Sequence, residues 1–178
     1  MGIGKHYDGY RSFQYLTPGK DYKAFELTPE LDRVEPYRVP LSEDEERRAE
    51  TLLANTVMIS LHEHVGLFPA DISETPAMVK EGRMATAFEG LAASCWDAVL
   101  DNLLDGIGSI HSRHGWQWED VIHDLGIRLC DIAHQDSVFH CTRVDEIEKA
   151  HPDGRVAWIA SMEGAAMIEN DLDRIDIL

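Results

Sequence analysis

Residues 155–164 read RVAWIASMEG, and this stretch decides the fold. It is a largely apolar run of strand length that ends at Glu163. A second run, TVMISL at residues 56–61, is also apolar and rich in β-branched side chains, and it ends in His62-Glu63-His64. We therefore predict two buried strands, each ending in side chains that can carry chemistry.

Helical patterns separate these strands from each other and from two weaker ones. Ser42 and Glu45 form a capping box at the start of the first helix, and apolar residues recur at helical spacing in the longest one. The predicted helices cover residues 43–55, 76–88, 118–135 and 142–150, with a last one from Met167 that is still running at Leu178; the predicted strands cover 56–61, 90–96, 137–141 and 155–162.

This alternation predicts an α/β fold with a parallel sheet and right-handed crossovers. Functional groups in such folds lie at the carboxyl ends of the strands, in open sheets and in barrels alike. That rule selects His62 to His64 and Glu163 as the candidate site. Residues 42–178 form the predicted α/β part of the chain.

Residues 1–41 differ in kind from the rest. The first 40 residues contain four prolines, four glycines and all five tyrosines of the chain, without apolar periodicity long enough for a helix. We expect an extended, aromatic-rich arm that packs along its own domain or on a neighbouring subunit. The second arrangement would make the protein a homo-oligomer.

The net charge of −17 comes from 16 basic and 33 acidic residues, and it excludes whole classes of partner. A phosphate backbone or an anionic membrane would be repelled, so neither nucleic acid nor membrane is an expected partner. Three cysteines, an odd number, fit neither a disulfide framework nor a zinc ribbon at their spacing. With no apolar signal segment at the start, the sequence predicts a cytoplasmic protein.

The strand ends have the composition of a metal site. Side chains two apart in a strand point to the same side, so His62 and His64 are predicted to converge. Two imidazoles provide half of a zinc or other divalent-metal site, and the carboxylate of Glu163 would supply a further ligand. The alternatives are structural: two hydrogen-bonded histidines, and a glutamate that caps the following helix.

These motifs resemble the membrane dipeptidase (renal dipeptidase) family of the amidohydrolase superfamily. The strand from Gly154 to Gly164 is similar to the family's Gly-Lys-Val to Val-Glu-Gly-Gly strand, whose glutamate bridges two zinc ions. The stretch from Ile59 to His64 resembles the family's opening motif, although His64 stands where the family usually has aspartate. The resemblance implies a (β/α)8 barrel, one or two zinc ions, and a metal and catalytic role for Glu163.

The resemblance covers residues 50–178, which account for about four of the eight β/α units of a barrel. The family's remaining metal-binding histidines and its water-activating aspartate come from later strands. We expect this chain to be the amino-terminal half of a barrel that a missing continuation or a second polypeptide completes. A self-contained four-stranded domain is the third arrangement.

The function expected from these features is hydrolysis of amide bonds in dipeptides or similar small substrates by metal-activated water. His111, His114 and Trp116, in a loop after the second strand, are candidates for the substrate pocket. The alternatives are a deaminase, lactonase or decarboxylase of the same superfamily, or a non-catalytic subunit that keeps the fold. The acidic residues Asp97, Asp101, Asp105, Glu119, Asp120 and Asp124 are interpreted as a solvated surface.

Overall fold

The predicted alternation of strands and helices is confirmed, and it builds a parallel sheet. The computed structural model describes residues 5–103 and 117–177. Within them the strands are β1 (Ile59–Glu63), β2 (Ala98–Leu103), β3 (Val138–His140) and β4 (Val156–Met162). The helices are α1 (Glu43–Ala54), α2 (Thr75–Glu81), α3 (Phe88–Ala93), α4 (Trp118–Ile132) and α5 (Val144–Asp153), and short 3-10 turns lie at Ile72–Glu74, Ala166–Ile168 and Leu172–Asp176.

The strands lie in the order β1-β2-β4-β3, and each neighbouring pair is parallel. β2 and β4 pair along the whole of β2, which makes them the centre of the sheet. β3 pairs only with the amino-terminal part of β4, from Val156 to Trp158. In a barrel the strands would follow chain order. β1, β2 and β4 keep that order, whereas β3 lies outside it at the edge.

Different helices cover the two faces of the sheet. On one face, α4 contributes Val121 to the apolar core that contains Trp158. On the other, Ala150 of α5 belongs to a smaller apolar cluster with Ala157 near the amino ends of the strands. Further along this second face, Ile159 and Ser161 are only half-buried. On the opposite face Ala160 and Met162 are half-buried as well, so both faces of β4 are less covered toward its carboxyl end.

The amino-terminal arm packs along its own domain from residue 5 to about residue 30. Tyr10 and Phe13 are almost completely buried, with 3% and 2% of their surface exposed. Asp131 of α4 accepts hydrogen bonds from the Tyr10 hydroxyl at 2.7 Å, from the Phe13 N–H at 2.9 Å, and from the Ser12 hydroxyl. One buried carboxylate thus ties three residues of the arm to α4. Beyond the arm's packed part, Tyr37 is 90% exposed.

The predicted strand over residues 90–96 is wrong. These residues belong largely to α3, and the strand begins only at Ala98. Phe88 and Leu91 are buried three positions apart, as on one face of a helix, and alanine favours a helix over a strand. Within residues 90–96 only Leu91 is buried and Ala93 is exposed, so the predicted burial of this run was wrong as well as its strand conformation.

Two predicted helices are also corrected. The helix over 76–88 ends at Glu81, because the backbone of Gly82 leaves the helical region, with φ of −99° and ψ of −160°. The last helix, from Met167 onward, is instead a pair of 3-10 turns. Glu169 and Asn170 separate these turns in the left-handed region, with φ of 54° and 65°, which an α-helix does not accommodate.

The remaining helices follow their sequence patterns. α1 begins at Ser42 with both hydrogen bonds of the predicted capping box, and none of its residues is buried. α5 ends where Gly154 adopts a left-handed conformation with φ of 63°, which suits glycine. In the described part of the chain, no helix combines the length and apolar character needed to cross a membrane.

Candidate metal centre

The end of β1 places two histidines on one side of the sheet. The register with β2 shifts between Ser60 and Glu63, where three steps along β1 match two along β2. Such a bulge turns side chains away from the regular alternation and is common beside functional sites. His62 lies within the bulge and His64 directly after the strand, with ring centroids 5.0 Å apart and planes at 84°. The two imidazoles meet edge to face.

Glu163 reaches the same place from β4, which it follows directly. β2 lies between β1 and β4, so their backbones are separated by two strand spacings, about 9.6 Å. One ligand atom from each of His62, His64 and Glu163 lies within 4.8 Å of the other two, and all three residues are exposed. The structure therefore brings together the three residues that the sequence selected as metal ligands.

The chemistry and spacing of this trio fit a zinc ion. Two imidazole nitrogens and a carboxylate oxygen are a donor set of catalytic zinc sites, in which a further position stays open for water or substrate. Zinc bonds of about 2.0–2.2 Å place tetrahedral ligands about 3.4 Å apart. The ligand atoms of the trio lie up to 4.8 Å apart, which exceeds the spacing of tetrahedral zinc ligands by little more than an ångström. Exposed side chains can close such a gap by small rotations about their own bonds.

Beneath the trio, Asn102 connects the three strands. Its side-chain nitrogen lies 2.9 Å from Nδ1 and 3.1 Å from Nε2 of His62. Its Oδ1 accepts a hydrogen bond of 3.1 Å from the Ser161 hydroxyl of β4. Asn102 itself is buried, with 2% of its surface exposed. Sequence reasoning missed this residue because the strand was predicted over residues 90–96, so Asn102 did not fall at a predicted strand end.

On the opposite face, Asp101 is the centre of a buried ionic cluster. One of its oxygens accepts 2.6 Å and 2.8 Å hydrogen bonds from Arg128 of α4 and the Trp158 indole, and the other lies 3.2 Å from the Val65 N–H. Arg128 also donates to Asp124 at 3.0 Å. Because Val65 follows His64, this cluster fixes the backbone directly after the metal-ligand candidates.

The interpretation of the acidic residues as a solvated surface is wrong for Asp97, Asp101 and Asp124. All three are buried, and each accepts hydrogen bonds from a buried or half-buried basic side chain. The spacing of acidic residues in the sequence gave no indication of these partners, which come from the arm and from α4. Asp105 lies outside the described residues, as do the pocket candidates His111, His114 and Trp116.

A second ionic group lies at the amino end of the sheet, far along β2 from the histidines. Asp97 accepts hydrogen bonds from Lys5 at 2.7 Å and from His151 at 2.9 Å, and His151 also contacts the Ala54 carbonyl at 3.0 Å. Burial opposes ionisation of Asp97, but the bonds from Lys5, the Met58 N–H and His151 lower its pKa. The pKa of His151 is raised, first by its hydrogen bond to the Ala54 carbonyl and second by its hydrogen bond to Asp97.

In comparisons with known proteins, no family model, no curated protein and no solved structure matches this chain. Function is therefore inferred from the geometry of the site and from the resemblance of its motifs.

Proposed function

We propose that this chain provides the metal-binding half of a hydrolase that cleaves amide bonds in dipeptides or similar small molecules. The single observation that carries the proposal is the convergence of His62, His64 and Glu163, whose ligand atoms lie within 4.8 Å of one another. The three come from two strands that are not adjacent. Chance clusters of exposed acidic groups are common, but two imidazoles joined by a carboxylate at the carboxyl ends of parallel strands have the donor set and position of a catalytic site.

In this proposal the two histidines hold one divalent ion, zinc by donor type, and Glu163 bridges to a second. A bound divalent ion supplies a Lewis acid for the substrate carbonyl and makes water acidic enough to attack near neutral pH.

The edges of the sheet leave room for further strands, although β3 lies outside the strand order of a barrel. β3 covers β4 only as far as Trp158, so along Ile159 to Met162 the described chain provides no strand on that side. At the other edge, the β1 residues Ile59 and Leu61 are 41% and 75% exposed. We propose that further strands, from a continuation or a second polypeptide, pair here and bring additional histidines and an aspartate to the metal centre. A cytoplasmic location remains part of the same proposal.

A second candidate function is another reaction of the amidohydrolase superfamily, such as deamination, lactone hydrolysis or decarboxylation. The observation that favours it is His64, which takes the place of the aspartate usual in the dipeptidases that the first motif resembles. A non-catalytic subunit that keeps the fold is the candidate of a different class, and metal content with activity separates it from both enzymes.

The proposal is tested on the chain purified together with its natural partner, by metal analysis and by hydrolysis of a panel of dipeptides. His62→Ala and Glu163→Gln are expected to lower metal content and to reduce kcat/KM by about 100-fold or more. His123→Ala and Glu119→Gln change exposed residues of the same types on α4 and serve as matched controls. Full activity and metal content in Glu163→Gln would contradict the bridging role. A wild-type complex without metal would exclude the enzymatic proposals.

A further inference from the structure

His151, in the last turn of α5, contacts a separate oxygen atom with each of its ring nitrogens. Nδ1 lies 2.9 Å from a carboxylate oxygen of Asp97, and Nε2 lies 3.0 Å from the carbonyl oxygen of Ala54. Asp97 directly precedes β2, and Ala54 is the last residue of α1. One imidazole therefore joins the ends of two helices to the amino end of the sheet.

Both partners of His151 can only accept hydrogen bonds. A backbone carbonyl has no proton to donate, and the Asp97 carboxylate is held ionised by the hydrogen bonds that it accepts from Lys5 and from the Met58 N–H. A neutral imidazole carries one N–H, so it can satisfy only one of the two oxygens. The imidazolium, in which both nitrogens donate, makes the two bonds together. The geometry thus identifies His151 as charged when it joins α1 to Asp97.

Charged and dipolar groups face His151 from three other parts of the chain. Asp97 favours the imidazolium, whereas the ammonium group of Lys5, from the arm, opposes it. α1 presents the negative end of its helix dipole at Ala54 and has no basic residue of its own in its last turn. The Ala54 bond and then the Asp97 bond are the largest causes of the raised pKa of His151. His151 therefore keeps its proton to a higher pH than an ordinary histidine.

The attachment of α1 to the domain depends on this histidine. None of the residues of α1 is buried, and a helix of 12 residues is marginal on its own in water. Within residues 5–103 and 117–177, the His151 bond is the only hydrogen bond or ion pair that joins α1 to the fold outside residues 42–55. Further along, Met58 is fixed separately, because its N–H and its carbonyl group both bond Asp97. α1 can therefore leave the domain while β1 stays in place.

We propose that His151 is a pH-sensitive clip for α1: the charged imidazole holds the end of the helix on the domain, and loss of its proton releases the helix while the sheet remains folded. The single N–H of neutral His151 stays with the Asp97 carboxylate, because hydrogen bonds to charged acceptors are the stronger ones. The Ala54 carbonyl then loses its donor. The clip lies at the opposite end of the strands from the metal centre, so it does not rest on the proposed function.

Two substitutions of His151 test the charge and the contact separately. His151→Gln is always neutral and offers one amide nitrogen in place of two ring nitrogens, so α1 is expected to be released at every pH. His151→Arg is charged throughout and has donors for both oxygens, so α1 is expected to stay docked at every pH. His123→Gln changes an exposed histidine of α4 and serves as the matched control, with the behaviour of wild type.

A third variant, Lys5→Met, tests the electrostatics of the clip without changing His151. Lys5 bonds the same carboxylate and opposes the charge on the histidine. Its removal is expected to move the titration of His151 and the release of α1 to higher pH by the same amount. A titration that moves without the release of α1 would contradict the clip.

The deciding measurement is the ¹³Cα chemical shifts of residues 43–54, which report the helical population of α1, between about pH 5.5 and about pH 9. In wild type we expect docking to weaken by about fivefold as the pH rises, with the midpoint of the His151 ring titration and with unchanged shifts in β2 and β4. His151→Gln should show the high-pH population throughout, and His151→Arg the low-pH population. The proposal is overturned if α1 keeps constant shifts while His151 titrates, if His151→Gln retains the low-pH population of wild type, or if the sheet signals change together with α1.

Discussion

Asp101 and Asn102 are neighbours in β2, and they serve opposite faces of one sheet. Asp101 points toward α4, is completely buried, and accepts hydrogen bonds from Arg128, Trp158 and the Val65 backbone. Asn102 points toward the face where His62 and Glu163 converge, and those two residues are exposed. Around Asp101 the first face is closed by α4, whereas around His62 and Glu163 the second face is open.

The difference separates structural from functional polar groups. A buried charge is tolerated only when partners from the same chain satisfy it, and the Asp101 cluster meets that condition with a cation and two N–H donors. The histidines and Glu163 instead converge at the surface, where their ring nitrogens and carboxylate form the donor set of a zinc site. One step along the strand therefore takes the chain from its core to its candidate site.

The largest expected effect is a loss of stability when the ionic cluster on the face covered by α4 is disrupted. Arg128→Met removes the cation that lies 2.6 Å from Asp101 and 3.0 Å from Asp124, while it retains much of the side-chain volume. Two buried carboxylates would then lack their common partner, and the free energy of unfolding is expected to fall by about 3–5 kcal/mol. Urea unfolding followed by circular dichroism measures the change.

The open face provides the matched control for that experiment. Glu163→Gln changes an exposed residue, so its unfolding free energy is expected to stay within about 0.5 kcal/mol of wild type. A loss of stability in Glu163→Gln as large as in Arg128→Met would show that the two faces do not differ in the way described. An Arg128→Met variant with wild-type stability would show the same.

A smaller effect concerns the ionic group at the amino end of the sheet. His151 has its pKa raised above the ordinary 6.5 by the Ala54 carbonyl and by Asp97. Its contribution to stability is therefore complete below pH 6.5 and is lost as the pH rises through the raised value. Because the side chain is partly exposed, we expect less than about 1 kcal/mol.

Unfolding of wild type and His151→Gln between pH 5.5 and about pH 8.5 measures this contribution. Wild type should lose stability relative to the variant toward the upper end of the range. His123→Gln, which changes an exposed histidine of α4, should leave the wild-type profile unchanged. Parallel profiles for wild type and His151→Gln would show that the Asp97 group does not stabilise the charged histidine.

Much of the fold was predictable because its strands and helices have strong local patterns. The apolar run before Glu163 formed the strand expected of it, and the capping box at Ser42 started a helix. The run before His62 also formed a strand, but this strand begins at Ile59 rather than Thr56 and is largely exposed rather than buried. The strand at 98–103 was misplaced because the alanine-rich segment before it is apolar without a clear period. Tertiary packing, rather than local pattern, decided that boundary.

The polar partners were less predictable than the metal-ligand candidates. His62, His64 and Glu163 were selected by their positions after strands, which depend on local sequence. The partner of Asp97 is Lys5, 92 residues away, and the partner of Asp131 is Tyr10, 121 residues away. A single sequence contains no pattern that connects such distant residues. The same holds for Asn102, whose importance depends on the bulge that turns His62 toward it.

Anomalous X-ray scattering at the zinc absorption edge tests the central claim most directly, with crystals of the zinc-loaded chain. We predict a difference peak about 2.0–2.2 Å from ligand atoms of His62, His64 and Glu163, and its loss in crystals of His62→Ala grown under the same conditions. A zinc-loaded crystal without a peak between these three side chains, or with the same peak in His62→Ala, would contradict the metal centre and the function proposed from it.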